Sequence, residues 1–392
     1  MGTKPINLPL VMKDLYGEKV MYSSRPSYTF NPWLQPEEHQ SNLLSARELL
    51  IAEMPVVVHE ATVTDKTEAL FNAVGFDMPN GFRVYNTRES YEQVLRDAVL
   101  DGEKIFFQYA HEEELVPGDK YVVPRDKFLA LNNKSILDKW TKGKFLPKRD
   151  VVAIEDFEDT VRKWSLPFVI KPGDEHPTAG GYGVMLCYTQ EDVERSIKRV
   201  REAEGTVQMI IEQFIEPVHN YCVQYAFSEE LGIKFIGSSQ QITEKYGKYR
   251  GNIIDHNIPQ DVIDAGLEIM QNGVEAGYVG IAGFDLLVDS KGEIYAIDLN
   301  FRQNGSSSLL LLDSVLAGDY KKFLAYYSDG DNAKFFDVIL DEVKAGYLFP
   351  LAYYNGDYKE KDEFPSRFIC IWHGDEDVIE SRVKAFEARL KG

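Results

Sequence analysis

Apolar and polar positions along the chain follow two periods. MPVVVHE (54–60) and EKIFFQYAH (103–111) are apolar runs of strand length, while ARELLIAEM (46–54) and RESYEQVLRDAVL (88–100) carry helical spacing. Strands alternating with helices over 1–130 predict a small α/β domain with a parallel sheet. The first forty residues are irregular and rich in Pro, Tyr and Ser, and are expected to wrap the surface or form a subunit contact. SLPFVIKP (165–172) and VMLCY (184–188) predict strands, and a helix follows from Thr189, a good N-cap with Asp192 three residues on. VQMIIEQFI, YCVQYAF and KFIGSSQQITEK continue the strands, and DVIDAGLEIMQNGVEAG interrupts them as a helix. The chain is divided accordingly into 1–130, 131–205, 206–330 and a C-terminal extension, 331–392, that ends in a charged helix.

The most informative stretch is GFDLLVDSKGEIYAIDLNFR, 283–302. Two apolar runs flank Asp289-Ser290-Lys291-Gly292 and read as an antiparallel hairpin. A two-residue Lys291-Gly292 loop, with Gly supplying φ > 0, places Asp285 opposite Asp298. Asn300 and Arg302 then share the face of Asp298. Facing acids on an apolar hairpin repel. A divalent cation reverses that cost, and hard oxygen ligands suit Mg²⁺, which usually works with phosphates.

Composition narrows the class. Hydrophobic residues make up 44% and charged residues 27%, as in soluble globular proteins. No apolar run is long enough to span a bilayer, and the N-terminus reads as neither signal, transit nor myristoylation sequence. Cys187, Cys222 and Cys370 sit in apolar settings without a CxxC pair, which predicts core packing and a reducing cytoplasm. The net charge of −20 excludes bulk nucleic-acid binding. Cations must therefore be concentrated locally to hold an anionic ligand.

Such cations stand beside glycines. Lys171 closes the apolar run Phe168-Val169-Ile170, where an unpaired charge is costly and a phosphate would pair it. Thr178-Ala179-Gly180-Gly181-Tyr182-Gly183 is flexible enough to lay backbone N–H groups over phosphate and act as a lid. It is neither a P-loop nor a Rossmann fingerprint. Glu212-Gln213-Phe214-Ile215 leaves a strand for a linker, an edge suited to adenine. A second loop, 245–252, offers Lys245, Lys248 and Arg250, with Arg250 suited to a bidentate carboxylate or γ-phosphate contact. His176 and His256 read as loop histidines.

In this order, Lys134, Lys171-Pro172, the glycine loop, Glu212 to Ile215, Asp285 and Asp298-x-Asn300-x-Arg302 resemble the ATP-grasp superfamily of carboxylate–amine or carboxylate–thiol ligases, over roughly 130–310. The resemblance implies an ATP-grasp fold, mixed α/β and α+β, behind an N-terminal α/β domain. It implies that Lys134 and Lys171 contact ATP, that 178–183 cover its phosphates and that 212–215 form the adenine hinge. Asp285, Asp298 and Asn300 would hold two Mg²⁺, with Mn²⁺ as a substitute. Three departures stand out. The middle acid is the shorter Asp298. The ribose acid is replaced by Glu216-Pro217-Val218-His219-Asn220, with His219, Asn220 or Glu216 as substitutes. Gly283 stands where some relatives place arginine.

The implied chemistry is formation of an acylphosphate and its capture by an amine, with Arg302 as oxyanion donor and Arg250 and Lys248 at the substrate. Asn304-Gly305-Ser306-Ser307-Ser308 offers donors to the acyl group. The expected function is an amino-acid or peptide ligase in the cytoplasm, with a homodimer as the expected assembly. The alternatives are thioester loading of an acyl carrier protein and a nonenzymatic ATP-binding regulator.

Overall fold

The computed structural model describes residues 8–34, 36–175, 178, 180–243, 249–359 and 364–391. Near the N-terminus, β1 (Val20–Ser23), β2 (Val57–His59), β3 (Arg83–Tyr85) and β4 (Lys104–Phe107) are short and largely buried. β1 pairs with β4 and β2 with β3, both parallel, and a parallel Tyr22–Val56 bridge joins the pairs. This is the expected α/β layer. The amphipathic helix Arg88–Leu100 covers it through Tyr91, Leu95 and Ala98.

The first forty residues do not merely wrap the outside. Leu10, Met12 and Leu15 enter the largest core. Trp33 is 1% exposed and packs among Phe157, Ile170, Met185 and Ile211, with its indole N–H donating to Thr206 Oγ1 at 2.9 Å. Its bulk ties the N-terminal segment to the next sheet.

That sheet is antiparallel, in the order β5-β8-β6-β7: β5 (Arg149–Ala153), β6 (Phe168–Pro172), β7 (Met185–Cys187) and β8 (Gln208–Gln213). The helix Gln190–Glu202 backs it, started by Thr189, which accepts from the Asp192 N–H while Asp192 reaches back.

A second antiparallel sheet runs β13-β12-β9-β10-β11-β14-β16-β15. Its strands are β9 (His219–Ser228), β10 (Gly232–Thr243), β11 (Tyr249–Ile254), β12 (Gly280–Val288), β13 (Ile294–Asn300), β14 (Tyr320–Tyr327), β15 (Leu348–Tyr354) and β16 (Arg367–Gly374). The segment expected as a C-terminal extension thus supplies two strands to this sheet. Gly251 permits the β11–β14 join, because a Cβ there would lie 2.0 Å from Phe323 O. The helix Gln260–Glu275 buries Val262, Ala265 and Ile269 against one face. On the other face Ala226, Ile281 and Phe323 pack with N-terminal residues such as Leu49 and Ile51, while Asn220, Cys222 and Asp285 border a cleft. No helix among the described residues is long and apolar enough to cross a membrane.

Candidate active site

A cleft of about 1250 Å³ lies between the two sheets and the N-terminal layer. Strand alternation decides which residues reach it. On β9, Asn220 and Cys222 line the cleft, while Tyr221, Val223 and Tyr225 enter the helix-backed core. His219 is therefore on the wrong face for the ribose role given to it. It does not line the cleft, and its ring stacks on Tyr221 at 5.2 Å. Cys222 also departs from plain core packing, since it pairs in register with Asp285 on the cleft side. Burial, then Asp285, holds its thiol pKa well above the usual range.

Asp285 does face Asp298, but by a different route from the two-residue turn. The turn holds three residues, Ser290 to Gly292, closed by Asp289 N–H donating to Glu293 O at 3.1 Å. Gly292, at φ 81°, completes it. Leu286 consequently pairs with Ala296, one place off the expected register. A bulge at Ile297 restores it, so that Asp285 pairs with Asp298 and Gly283 with Asn300. The bulge also exchanges faces. Ile294 and Ala296 point to the core, as do Leu299 and Phe301, leaving Asp298 and Asn300 in the cleft. The sequence carries this phase shift in its apolar residues at 294, 296, 297, 299 and 301.

The carboxylates are unequal. Burial, then Asp298, pushes the Asp285 pKa up to about 7. Burial also opposes ionisation of Asp298, but Lys134, Arg302 and Lys171 outweigh it and hold that carboxyl below its usual range. Lys134 Nζ donates to Asp298 Oδ1. Burial lowers the lysine's pKa even so. Among the described residues Asp285 Oδ1 is buried with no hydrogen-bond partner, which fits a cation ligand. Among the described residues, no three His, Cys, Asp or Glu side chains are placed to hold a metal alone. Asn300 and phosphate oxygens are the natural remaining ligands.

Lys171 lines the cleft and has protein partners of its own. Its Nζ donates to Glu212 Oε1 at 2.5 Å and to Ile297 O at 3.0 Å. The pair is buried, with Arg149 Nη1 3.9 Å from the second Glu212 oxygen. Glu212 therefore holds Lys171 under the hinge, while Gln213, Phe214 and Ile215 line the cleft beyond it. Thr178, Gly180, Gly181 and Gly183 line the opposite lip, with Gly180 and Gly181 at positive φ.

Arg302 donates to Thr178 O at 3.1 Å, joining metal strand and lid, and lies 5.3 Å from the Tyr109 ring centre. Gly283 explains its own departure. A Cβ there would meet Asn304 Nδ2 at 2.4 Å, and that amide donates to Arg302 O at 2.9 Å. Arginine at 283 has no room. Arg250 lines the cleft near Tyr326, on a strand three places from β12. Lys248, Lys245 and His176 lie outside the described residues.

Sequence reasoning named Ser306 and the stretch holding Tyr249 and Asn252, but missed Gln224, Ser239 and the N-terminal wall. Gln224 Nε2 donates to Ser306 Oγ at 2.8 Å, Ser239 bonds Ser306 at 3.1 Å, and Asn252 donates to Ser239 at 3.0 Å. Tyr249 donates to Asn252. Arg47, Gln108 and Tyr109 enter from the N-terminal layer. The only signal for Arg47 was a charge pair inside the apolar run 46–54.

Three family models match: the N-terminal domain of L-aspartate–L-methionine ligase over 11–129, its ATP-grasp domain over 147–300 and its C-terminal domain over 314–391. Among solved structures, an L-amino acid ligase from Bacillus licheniformis is similar at 15% identity and TM-score 0.55, over 94% of this chain and 97% of that one. N5-carboxyaminoimidazole synthetase from Staphylococcus aureus, complexed with ADP, is similar at 12% identity and TM-score 0.60, over 97% of this chain and 100% of that one. Biotin carboxylase from Campylobacter jejuni shares the fold at 13% identity and TM-score 0.59, over 95% and 91%. The chain belongs to the L-aspartate–L-methionine ligase family of ATP-grasp enzymes, amino-acid ligases that use ATP with Mg²⁺, form an amide bond and release ADP.

Proposed function

We propose that this chain joins L-aspartate to L-methionine in the cytoplasm, with aspartate as the acyl donor. The reading is carried by agreement of the three domain models with one cleft that holds facing acids, a lid and a hinge. ATP lies with adenine at Gln213, Phe214 and Ile215, its ribose near Asn220 or Glu216, and its phosphates under Gly180, Gly181 and Gly183. Two Mg²⁺, replaceable by Mn²⁺ and held by Asp285, Asp298 and Asn300, would neutralise charge on the phosphates. Lys134 and Lys171 add positive charge there.

A donor carboxylate oxygen bonds to the γ-phosphorus as the bond to ADP breaks. The acceptor amine then attacks the acyl carbon, loses a proton, and inorganic phosphate leaves with the former carboxylate oxygen. Arg302 donates to the oxyanion formed in that attack. The orphaned Asp285 oxygen supports the cation, and the Arg302–Thr178 contact supports coupling of lid and oxyanion donor.

The test incubates the purified chain with ATP, Mg²⁺ and pairs of amino acids. Aspartate and methionine are expected to give ADP, phosphate and a product lighter than their sum by one water. Hydroxylamine in place of methionine should trap aspartate as its hydroxamate. Hydroxamate from another carboxylate but never from aspartate overturns the donor assignment.

A further inference from the structure

The cleft contains a second guanidinium set for a carboxylate. Arg47 is 5% exposed yet lines the cleft. Its Nε donates to Glu48 at 2.7 Å and its Nη2 to Gln108 Oε1 at 3.1 Å. Its Nη1 makes no hydrogen bond among the described residues. A buried arginine that lines a cleft with two of its nitrogens fixed by protein is a rigid donor.

Its location is equally specific. Gln108 also donates to Tyr109 OH at 3.3 Å, and Arg302 lies over the Tyr109 ring, so adjacent residues connect the two guanidinium groups. Tyr249 lies within electrostatic reach of both Arg47 and Asp285. The other cleft cations placed near the acids are engaged: Lys134 by Asp298, Lys171 by Glu212, and Arg302 by Thr178 and Gln303 carbonyls.

We infer that Arg47 binds the non-reacting carboxylate of a dicarboxylic amino-acid donor and sets the preference for aspartate over its amide. The inference rests on the donor assignment above. Glu48 pairs with the guanidinium through Nε and balances its charge.

The experiment measures kcat and KM for L-aspartate and L-asparagine at saturating ATP and methionine. It compares the full chain with Arg47→Lys and with the charge-balanced Arg47→Gln/Glu48→Gln pair. Wild type should prefer aspartate by at least about 100-fold, since an amide leaves the charged donor unmatched. In the variants, KM for aspartate should rise roughly 10–100-fold, the equivalent of one charge-assisted hydrogen bond, and the preference should fall by a similar factor. KM for ATP and methionine should stay within about twofold. A folded variant that keeps its preference overturns the inference, and a lower melting temperature with unchanged preference assigns Arg47 a structural role alone. Wild type that accepts asparagine equally well overturns it without any variant. Wild type that ligates other amino acids but not aspartate overturns the donor assignment itself, and this inference with it.

Discussion

Lys134 occupies Asp298, the carboxylate that both metal ions would share. Lys134 thus offsets the charge of Asp298, and a metal ion taking that carboxylate would free the lysine for phosphate. Asp298→Asn removes the shared ligand and leaves Lys134 unmatched. Turnover should fall on the order of 10³-fold, and Mg²⁺·ATP should bind more weakly. ADP release and calorimetric titration measure the two effects. Normal activity would sink the metal assignment.

Arg302→Ala should leave ATP affinity nearly intact and cost about 2.7–4 kcal/mol in turnover, as for loss of one oxyanion donor. Equilibrium ATP binding with single-turnover kinetics separates the two. A large loss of affinity at an unchanged chemical rate would assign the arginine to ATP instead.

Lys171→Met should cost stability as well as positive charge at the phosphates. Glu212 is 2% exposed, and its remaining cationic neighbour, Arg149, stays at 3.9 Å. Removing one member of a buried pair costs about 3–5 kcal/mol. Urea unfolding reads this directly, and a loss below 1 kcal/mol would mean water already reaches the pair.

Gly283→Ala should hurt catalysis more than folding. The new methyl displaces the Asn304 amide, a movable group, and breaks its bond to the Arg302 carbonyl. Stability should drop by about 1–3 kcal/mol, with a larger relative loss in kcat and ATP binding retained. Equal kcat in the two proteins would show that Asn304 does not position Arg302.

His111 gives a pH signature. It is 1% exposed, its Nδ1 faces Tyr109 O at 3.0 Å, and its Nε2 faces Tyr91 OH at 2.8 Å. One neutral tautomer satisfies both contacts. Burial lowers its pKa to about 4, against about 6.5 unfolded. The unfolded chain therefore binds the extra proton first. This stabilisation is complete above pH about 6.5 and declines as pH falls towards 4, by roughly 3 kcal/mol in all. Urea unfolding at pH 7, 6 and 5 should show a steeper decline for wild type than for His111→Gln. Parallel declines would refute the shift.

The hairpin of facing acids was legible because composition and period both point to it. Its register came from two opposite displacements, a longer turn and the Ile297 bulge, which the simple period-two argument treated as none. Lys171 was visible as a buried cation, but its counter-ion Glu212 is contributed by a neighbouring strand, and strand pairing is not written locally. His219 and Asn220 looked equivalent in sequence, yet adjacent strand residues face opposite ways. Arg47 lay beyond reach, since nothing within 46–54 says which cleft that segment borders.

The ladder from β11 to β14 carries a consequence for heredity and engineering. The strands beyond it belong to the C-terminal family domain, yet Phe323, Ala325, Tyr326, Arg367 and Ile369 form one wall of the cleft. Replacing 314–391 with a relative's segment would therefore transplant part of the substrate pocket along with the fold's outer edge. Deleting it would leave β11 as a bare edge open to other chains. In this enzyme, the outer strands of the sheet and one wall of the cleft are inherited as one piece.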